Sequence, residues 1–103
     1  HLVGNSAKKT ENLQASKRIL RFLNETAGKR FRETKVNLAF IEARLADGIT
    51  EEDLRKITVR KAREWLPDDK MREYLQPKTL FNRTNCEGYL GNLIPPGKVK
   101  TEL

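Results

Sequence analysis

The chain has 103 residues and a mass of 11.9 kDa, which is the size of one small domain. Hydrophobic residues make up 37% and charged residues 34%, and no apolar run approaches the roughly 20 residues that a membrane span needs. With 21 Lys and Arg against 14 Asp and Glu, the formal net charge is +7. This excess of positive charge indicates a polyanionic partner, and nucleic acid is the first candidate.

The content of nucleophiles and metal ligands argues against catalysis. His1 is the only His and Cys86 is the only Cys. The sequence therefore offers no Ser-His-Asp set, no Cys-His pair and no Cys-based zinc cage, and it has no glycine-rich phosphate loop. We expect neither an enzyme nor a bound metal or cofactor. A lone Cys also indicates a reducing, cytoplasmic compartment.

The two ends of the chain differ from its middle. Residues 1–12 are polar and aperiodic, and residues 94–103 contain two prolines and a glycine near their start. We therefore predict flexible tails at 1–12 and 94–103, on either side of one helical domain at 13–93. Because the chain does not begin with Met, we expect it to be a piece of a longer protein.

The first predicted helix runs from Leu13 to Thr26. Ile19 and Leu23 lie on one apolar face, and Gly28 is a suitable residue for a left-handed helix stop. The opposite face carries Lys17, Arg18 and Arg21. The helix is thus predicted to be apolar on its inner side and basic on its outer side.

The second predicted helix runs from Glu33 to Asp47 and has two apolar stripes. The first stripe contains Leu38, Ile41 and Leu45. The second stripe contains Val36, Ala39, Phe40 and Ala43. A helix that is apolar on two sides is usually buried, so we predict that this one lies in the middle of the fold. The alternative is that Val36 and Phe40 form a groove for a partner.

The third predicted helix starts after Thr50, which is followed by three acidic residues and can cap the helix. It continues to Trp65, and Pro67 ends it. Its outer face carries Lys56, Arg60 and Arg63. Lys61 lies in the inward stripe, where its stem can follow the core while its ammonium group finds an acid or a carbonyl.

The apolar pattern after Pro67 is made of shorter pieces. Asp68–Tyr74 reads as a short helix that Pro77 prevents from continuing. Leu80 and Phe81 are predicted to fill the core from a turn, and residues 82–93 to form a last short helix. No stretch alternates as a strand would. The predicted fold is all-α, a small compact bundle of three main helices plus short C-terminal helices.

The aromatic residues have two interpretations. Trp65, Phe81 and Tyr89 could stack on single-stranded bases, but their apolar neighbours favour core packing. The predicted core consists of Trp65 with Leu38, Ile41, Leu45, Leu54, Ile57 and Phe81.

Three groups of residues, in order along the chain, resemble a known family. The first group consists of Ile19, Leu20, Leu23, Asn24, Thr26, Gly28, Lys29 and Phe31. The second consists of Asn37, Leu38, Ile41, Ala43, Arg44, Leu45 and Gly48. The third contains Lys61, "EWL" at 64–66, "YLQPKTLF" at 74–81 and "EGYL" at 87–90. This pattern resembles the conserved C-terminal domain of phage replication proteins, the DnaD-like replisome organisers.

The resemblance implies a role in phage replication but provides no catalytic residue. Proteins of this kind mark or open the phage origin and bring the host helicase and its loader, so DNA, the helicase and the loader are the implied partners. Oligomerisation is expected through other parts of the full-length protein. The chain departs from the family pattern at Gln76, where an Arg is usual, and at Cys86, where an aromatic residue is usual.

Three basic clusters are the candidate DNA-binding residues. They consist of Lys17, Arg18 and Arg21; of Lys29, Arg30 and Arg32; and of Lys56, Arg60 and Arg63. The middle cluster places three cations within four residues after Gly28, which is unfavourable by self-repulsion unless an anion approaches. Two hypotheses stay open: a module that binds DNA phosphates, and a protein-interaction or self-association module that docks a helicase or its loader without touching DNA.

Overall fold

The computed structural model describes the backbone of residues 2–93 and the side chains of residues 7–93. Its α-helices are α1 (Leu2–Ala27), α2 (Lys35–Ala46), α3 (Glu51–Trp65), α4 (Pro77–Leu80) and α5 (Arg83–Gly91), with a 3₁₀ turn at Arg72–Tyr74. No strand occurs among residues 2–93, and the predicted all-α fold is confirmed. None of these helices is both long enough and apolar enough to cross a membrane.

The centre of the fold is occupied by α1, which packs against both α2 and α3. Ile19, Leu20 and Leu23 of α1 are fully buried, as their spacing along one helix face predicts. The facing helices contribute Leu38, Ile41, Leu54 and Ile57. These residues form one core that the C-terminal segment closes from the other side.

The predicted central position of α2 is wrong. Leu38 and Ile41 are buried, but Val36 is 67% exposed and Ala39 and Ala43 are exposed as well. Only Phe40 of the second stripe packs partly against the core. The longer α1 takes the central place, so α2 is covered on one side only. Ala is also the best helix former, and its presence on a helix reflects propensity as much as burial.

The first helix begins at Leu2 rather than at the predicted Leu13. Residues 7–11 are exposed, so this part of α1 extends past the core without apolar contacts. Once a helix has started, each added residue gains one backbone hydrogen bond without requiring burial, and apolar periodicity does not reveal such an extension. The second predicted tail, at 94–103, lies outside the described residues.

Side-chain caps fix the starts of three helices. The hydroxyl oxygen of Thr50 accepts a hydrogen bond from the backbone N–H of Asp53 at 3.1 Å, which confirms the predicted start of α3. Thr34 caps α2 in the same way, so this helix starts at Lys35 and not at the predicted Glu33. The third cap is formed by Asn82 at the start of α5.

The segment between α3 and α5 is less helical than predicted. The expected helix over Asp68–Tyr74 is a turn followed by the 3₁₀ turn, because the Asp68 carboxylate accepts hydrogen bonds from the backbone N–H groups of the two residues 70 and 71. Pro77 then starts α4, where its missing N–H is tolerated. Leu80 and Phe81 are fully buried, so their predicted role in filling the core is confirmed.

Two residues of the predicted core lie at its margin, and one charged residue is buried that was not predicted to be. Leu45 and Trp65 are only half-buried, whereas the other predicted core residues are buried. Arg44 is 7% exposed, and its guanidinium donates hydrogen bonds to the Asp47 carboxylate at 2.9 Å and to the Phe81 carbonyl at 3.0 Å. This buried Arg joins α2 to the end of α4.

Candidate nucleic-acid interface

The connection between α1 and α2 begins with a left-handed stop. Gly28 has a φ of +68°, and the N–H of Lys29 donates to the Asn24 carbonyl at 2.9 Å. The Asn24 side chain then holds Phe31 at both backbone groups: its amide donates to the Phe31 carbonyl at 2.9 Å, and its oxygen accepts from the Phe31 N–H at 2.8 Å. We call residues 28–32 the basic turn.

Arg30 and Arg32 project outward from the basic turn. Phe31 lies between them, half-buried and packed against the core, while both arginines are exposed. Successive side chains of an extended segment point to opposite sides, so anchoring Phe31 inward directs its two neighbours to solvent. The ion pairs formed within residues 7–93 involve neither arginine. Their positive charge is therefore available to an anion from outside.

Lys29 is partly used by the fold. Its ammonium group donates to the carbonyl of Arg72 at 3.1 Å, which ties the basic turn to the 3₁₀ turn. Arg72 in turn pairs with Asp69 and donates to the Leu66 carbonyl. The Lys29 side chain therefore helps to hold the basic turn in place.

The basic face of α1 is paired with acids from other elements. The Arg21 Nε lies 2.8 Å from the Glu33 carboxylate, close to the basic turn. Arg18 donates two hydrogen bonds to Glu51, at 2.9 and 3.0 Å. The hydrogen bond to Glu51 raises the pKa of Arg18 further above its already high value. Lys17 is half-buried and forms no ion pair within residues 7–93.

Glu51 connects the start of α3 to α1. Its carboxylate accepts from Arg18 and, at 3.3 Å, from Arg55, whose guanidinium also lies 4.8 Å from the centre of the Phe22 ring. The hydrogen bond from Arg18 lowers the pKa of Glu51, partial burial opposes this, and the hydrogen bond from Arg55 lowers it again. The net result is a pKa below the usual 4.5.

This lowered pKa predicts an acid-sensitive contact. A carboxyl whose pKa is lower in the folded state adds stability above its unfolded pKa, and that stability is lost as the pH falls through the folded pKa. We expect the free energy of unfolding of the wild type to fall below pH 4.5 and that of Glu51→Gln to fall less steeply. Urea unfolding at about pH 6 and about pH 3.5 measures the difference.

The exposed carboxylate of Glu52 supplies the control for this experiment. Its side chain is 77% exposed and lies 3.5 Å from Lys56. Surface pairs of this kind contribute little to stability. Glu52→Gln should therefore keep the acid sensitivity of the wild type. An equal loss of acid sensitivity in both variants would contradict the role assigned to Glu51.

The outer face of α3 carries the third cluster, as predicted, and it is also partly paired. Lys56 lies 3.5 Å from Glu52, one helical turn earlier. Arg60 contacts Glu64 at 3.2 Å and donates to the Asn92 carbonyl at 3.1 Å. Arg63 is exposed and forms no ion pair within residues 7–93.

The structure does not bring the nine predicted residues together. Four of them contact acidic side chains, namely Arg18, Arg21, Lys56 and Arg60. The pair between Arg21 and Glu33 joins the first cluster to the residue that directly follows the basic turn. No hydrogen bond or ion pair within the described side chains joins the first cluster or the basic turn to the third cluster. The exposed cations of the basic turn are the part of the prediction that the geometry favours most.

The predicted partner of the Lys61 ammonium group, an acid or a carbonyl, is the carboxylate of Glu64, and the contact lies in the cleft between α3 and α5. The ammonium group lies 3.0 Å from the Glu64 carboxylate, 5.0 Å from the centre of the Trp65 ring and 4.5 Å from that of Tyr89. The two rings meet edge to face, with their centres 6.1 Å apart. These contacts fasten α5 to α3 through a cation that two aromatic rings and one acid share.

A cavity of about 180 Å³ lies beside this contact. Its lining consists of Ile57, Arg60, Lys61, Glu64, Tyr89, Asn92 and Leu93. The charged groups of the lining pair with one another, since Lys61 and Arg60 both donate hydrogen bonds to the Glu64 carboxylate. These hydrogen bonds, first that of Lys61 and then that of Arg60, lower the pKa of Glu64. Lys61 also covers one face of the Tyr89 ring, and Phe81 is fully buried. The aromatic residues thus favour packing over base stacking.

Comparison with known protein families identifies the family of this chain. Within the described residues, no group of three or more His, Cys, Asp or Glu could hold a metal ion. The fold is that of a small all-α domain. The chain belongs to the family described as a conserved phage C-terminus, whose sequence model matches residues 19–91. No curated protein and no solved structure matches the chain.

The predicted phage origin of the domain is confirmed by this family match. The matched range includes the basic turn, α2 and α3, and it starts after Lys17 and Arg18. Two of the nine predicted DNA-binding residues therefore lie outside the family's own sequence pattern, while all of the basic turn lies within it.

Proposed function

We propose that this domain is the C-terminal module of a phage DNA-replication initiator, that it binds DNA phosphates through the basic turn, and that it supports helicase recruitment in the cytoplasm of the bacterial host. The motifs that resemble DnaD-like replisome organisers support the replication role. One observation carries the DNA-binding role: Arg30 and Arg32 are exposed on either side of the anchored Phe31, and neither forms an ion pair with the side chains of residues 7–93.

The chemistry of the basic turn suits phosphate better than base edges. Guanidinium groups bind phosphate oxygens through two parallel hydrogen bonds, whereas base reading requires an element that enters a groove. Arg30 and Arg32 extend from an irregular connection, not from a helix. We therefore propose binding with little base preference, and a role in binding rather than catalysis.

Salt dependence tests this proposal directly. Roughly three phosphate contacts would give a slope of about −2.7 for log affinity against log salt, since each contributes about −0.9 on duplex DNA. Fluorescence anisotropy with a labelled duplex at ~50 and ~200 mM salt should then show a loss of affinity of about 40-fold. Two duplexes of unrelated sequence should bind alike. Absence of salt-sensitive binding at ~50 mM salt would exclude the DNA-binding role.

A protein-docking function is the second candidate, and two observations favour it. Four of the nine predicted cations are paired with acids, and the outward face of α2 is apolar. In this alternative the domain docks the helicase or its loader without touching DNA. Nuclear magnetic resonance shifts on adding the loader, with none on adding DNA, would support it against the first proposal.

A further inference from the structure

The outward face of α2 differs in composition from the outward face of α3. The exposed residues along the midline of the α2 face are Val36, Ala39, Ala43 and Ala46. No charged side chain interrupts them, although a third of the chain is charged. The outward face of α3 shows the usual pattern, with Lys56 and Arg63 beside Val59. Helix α2 therefore presents a smooth apolar strip to solvent.

The charges of α2 that border this strip lie on one edge. Lys35 and Glu42 are seven residues apart, which places them two turns apart on nearly the same line along the helix. The ion pairs within residues 7–93 include neither of them. One edge of the strip thus has a positive end and a negative end, and both charges are unpaired within the described part of the chain.

We propose that this face of α2 binds the same face of α2 in a second copy of the chain, with the two helices antiparallel around a two-fold axis. In an antiparallel pair, the charged edge of one helix lies beside the same edge of the other helix and runs in the opposite direction. Lys35 therefore lies opposite the partner's Glu42, and Glu42 lies opposite the partner's Lys35. In this register Ala39 lies beside the two-fold axis, and its small side chain allows the two helices to approach closely. Val36 covers each end of the contact.

The order of charges favours a second copy over an unrelated partner. An edge that carries one cation and one anion can form two ion pairs with an identical edge that runs in the opposite direction. A two-fold axis between two copies of the chain produces this arrangement. The helix has 12 residues and is about 18 Å long, so the contact is smaller than a standard interface of about 1,200–2,000 Å². The association is therefore weak. It does not depend on DNA binding, so the two proposals fail or hold separately.

Sedimentation equilibrium of the DNA-free protein tests the association. Between about 10 µM and about 1 mM, a range suited to weak binding, the weight-average mass of the wild type should rise from 11.9 kDa towards twice that value. Lys35→Glu and Glu42→Lys should each weaken association by about five- to tenfold, because symmetry places two repelling pairs in every dimer. The double variant should restore the wild-type constant to within about threefold.

The charge variants also separate association from folding. An acid at the start of a helix and a base near its end both favour the helix dipole, so neither single change should unfold α2. Ala39→Glu should abolish association, whereas Val59→Glu on the outward face of α3 should leave it unchanged. A wild type that stays monomeric up to about 1 mM, or a double variant that does not recover, would overturn the proposal.

Discussion

Replacing Arg30 and Arg32 together by Glu should lower the affinity for duplex DNA on the order of 100-fold at ~50 mM salt. The change removes two phosphate contacts, each worth about 1.5 kcal/mol or more as a charge-assisted hydrogen bond, and adds two repelling carboxylates. It should also reduce the salt slope by about 1.8, at about 0.9 for each lost contact. Anisotropy titrations at several salt concentrations measure both effects.

A matched charge change on α3 provides the control. Lys56→Glu with Arg63→Glu lowers the net charge by the same four units, from +7 to +3, but on a different surface. If the basic turn is the site, this variant should lose less than about fivefold in affinity, because salt weakens the effect of charges that do not contact the phosphates. Equal losses in both variants would show that DNA responds to net charge alone.

The substitutions of Arg30 and Arg32 should not change the fold, so the comparison of DNA affinities reports on the surface charges. The side chains of Arg30 and Arg32 form no hydrogen bond or ion pair with residues 7–93, and both are exposed. The contacts that hold the basic turn come from the side chains of Asn24, Asn37 and Lys29 and from the backbone. Far-ultraviolet circular dichroism and thermal melts should therefore be the same for the wild type and the double variant.

The largest expected effect on stability is that of Phe81→Ala. Phe81 is fully buried, and removing a buried Phe side chain typically lowers the free energy of unfolding by about 3–5 kcal/mol. Small domains have only about 5–15 kcal/mol in total, so the variant should be partly unfolded at 37 °C. In the variant, the backbone carbonyl of residue 81 can still accept the hydrogen bond from Arg44. The decrease in the free energy of unfolding therefore measures the contribution of the Phe81 ring. Urea unfolding gives the difference.

Tyr74 is the control for this prediction because it is an aromatic residue of the same segment that is 42% exposed. Tyr74→Ala should lower the free energy of unfolding by less than about 1 kcal/mol. A loss below about 1 kcal/mol for Phe81→Ala as well would mean that Phe81 does not hold the C-terminal segment onto the core. The stacking role of this residue would then need to be considered again.

The parts of the fold that follow from local chemistry could be predicted. Thr50 caps α3 through its own hydroxyl, and Gly28 and Gly48 have φ values of +68° and +98° that other residues rarely adopt. The inner faces of α1 and α3 follow from helix periodicity. None of these features depends on where another helix lies, so the sequence is sufficient to find them.

The exposed face of α2 could not be predicted because an apolar pattern does not show which element covers it. Val36 and Ala39 have the right types and spacing for a buried stripe, but α1 and the C-terminal segment cover only the opposite side. Trp65 illustrates the same limit. Its place on the inward face of α3 is right, but it lies at the end of the helix, where the core gives way to the cleft beside α5.

The candidate site shows a similar division. The pairs of Lys56 with Glu52 and of Arg60 with Glu64 lie four residues apart and could have been found from helix spacing. The pair of Arg18 with Glu51 joins residues 33 positions apart and requires the packing of α1 on α3. The burial of Arg44 is also indicated by the sequence, because Arg44 lies on the same helix face as Ile41 and an acid, Asp47, follows three residues later.

If the basic turn binds DNA phosphates as proposed, the contact between Asn24 and Phe31 lowers the entropic cost of that binding. Fixing the backbone of one residue costs about 1–2 kcal/mol in conformational entropy. Because Asn24 holds both backbone groups of Phe31, this cost falls on the folding of the domain and not on the arrival of a phosphate. The affinity of the basic turn is therefore coupled to the stability of the C-terminal end of α1. A substitution that loosens that helix end weakens the site without changing an arginine.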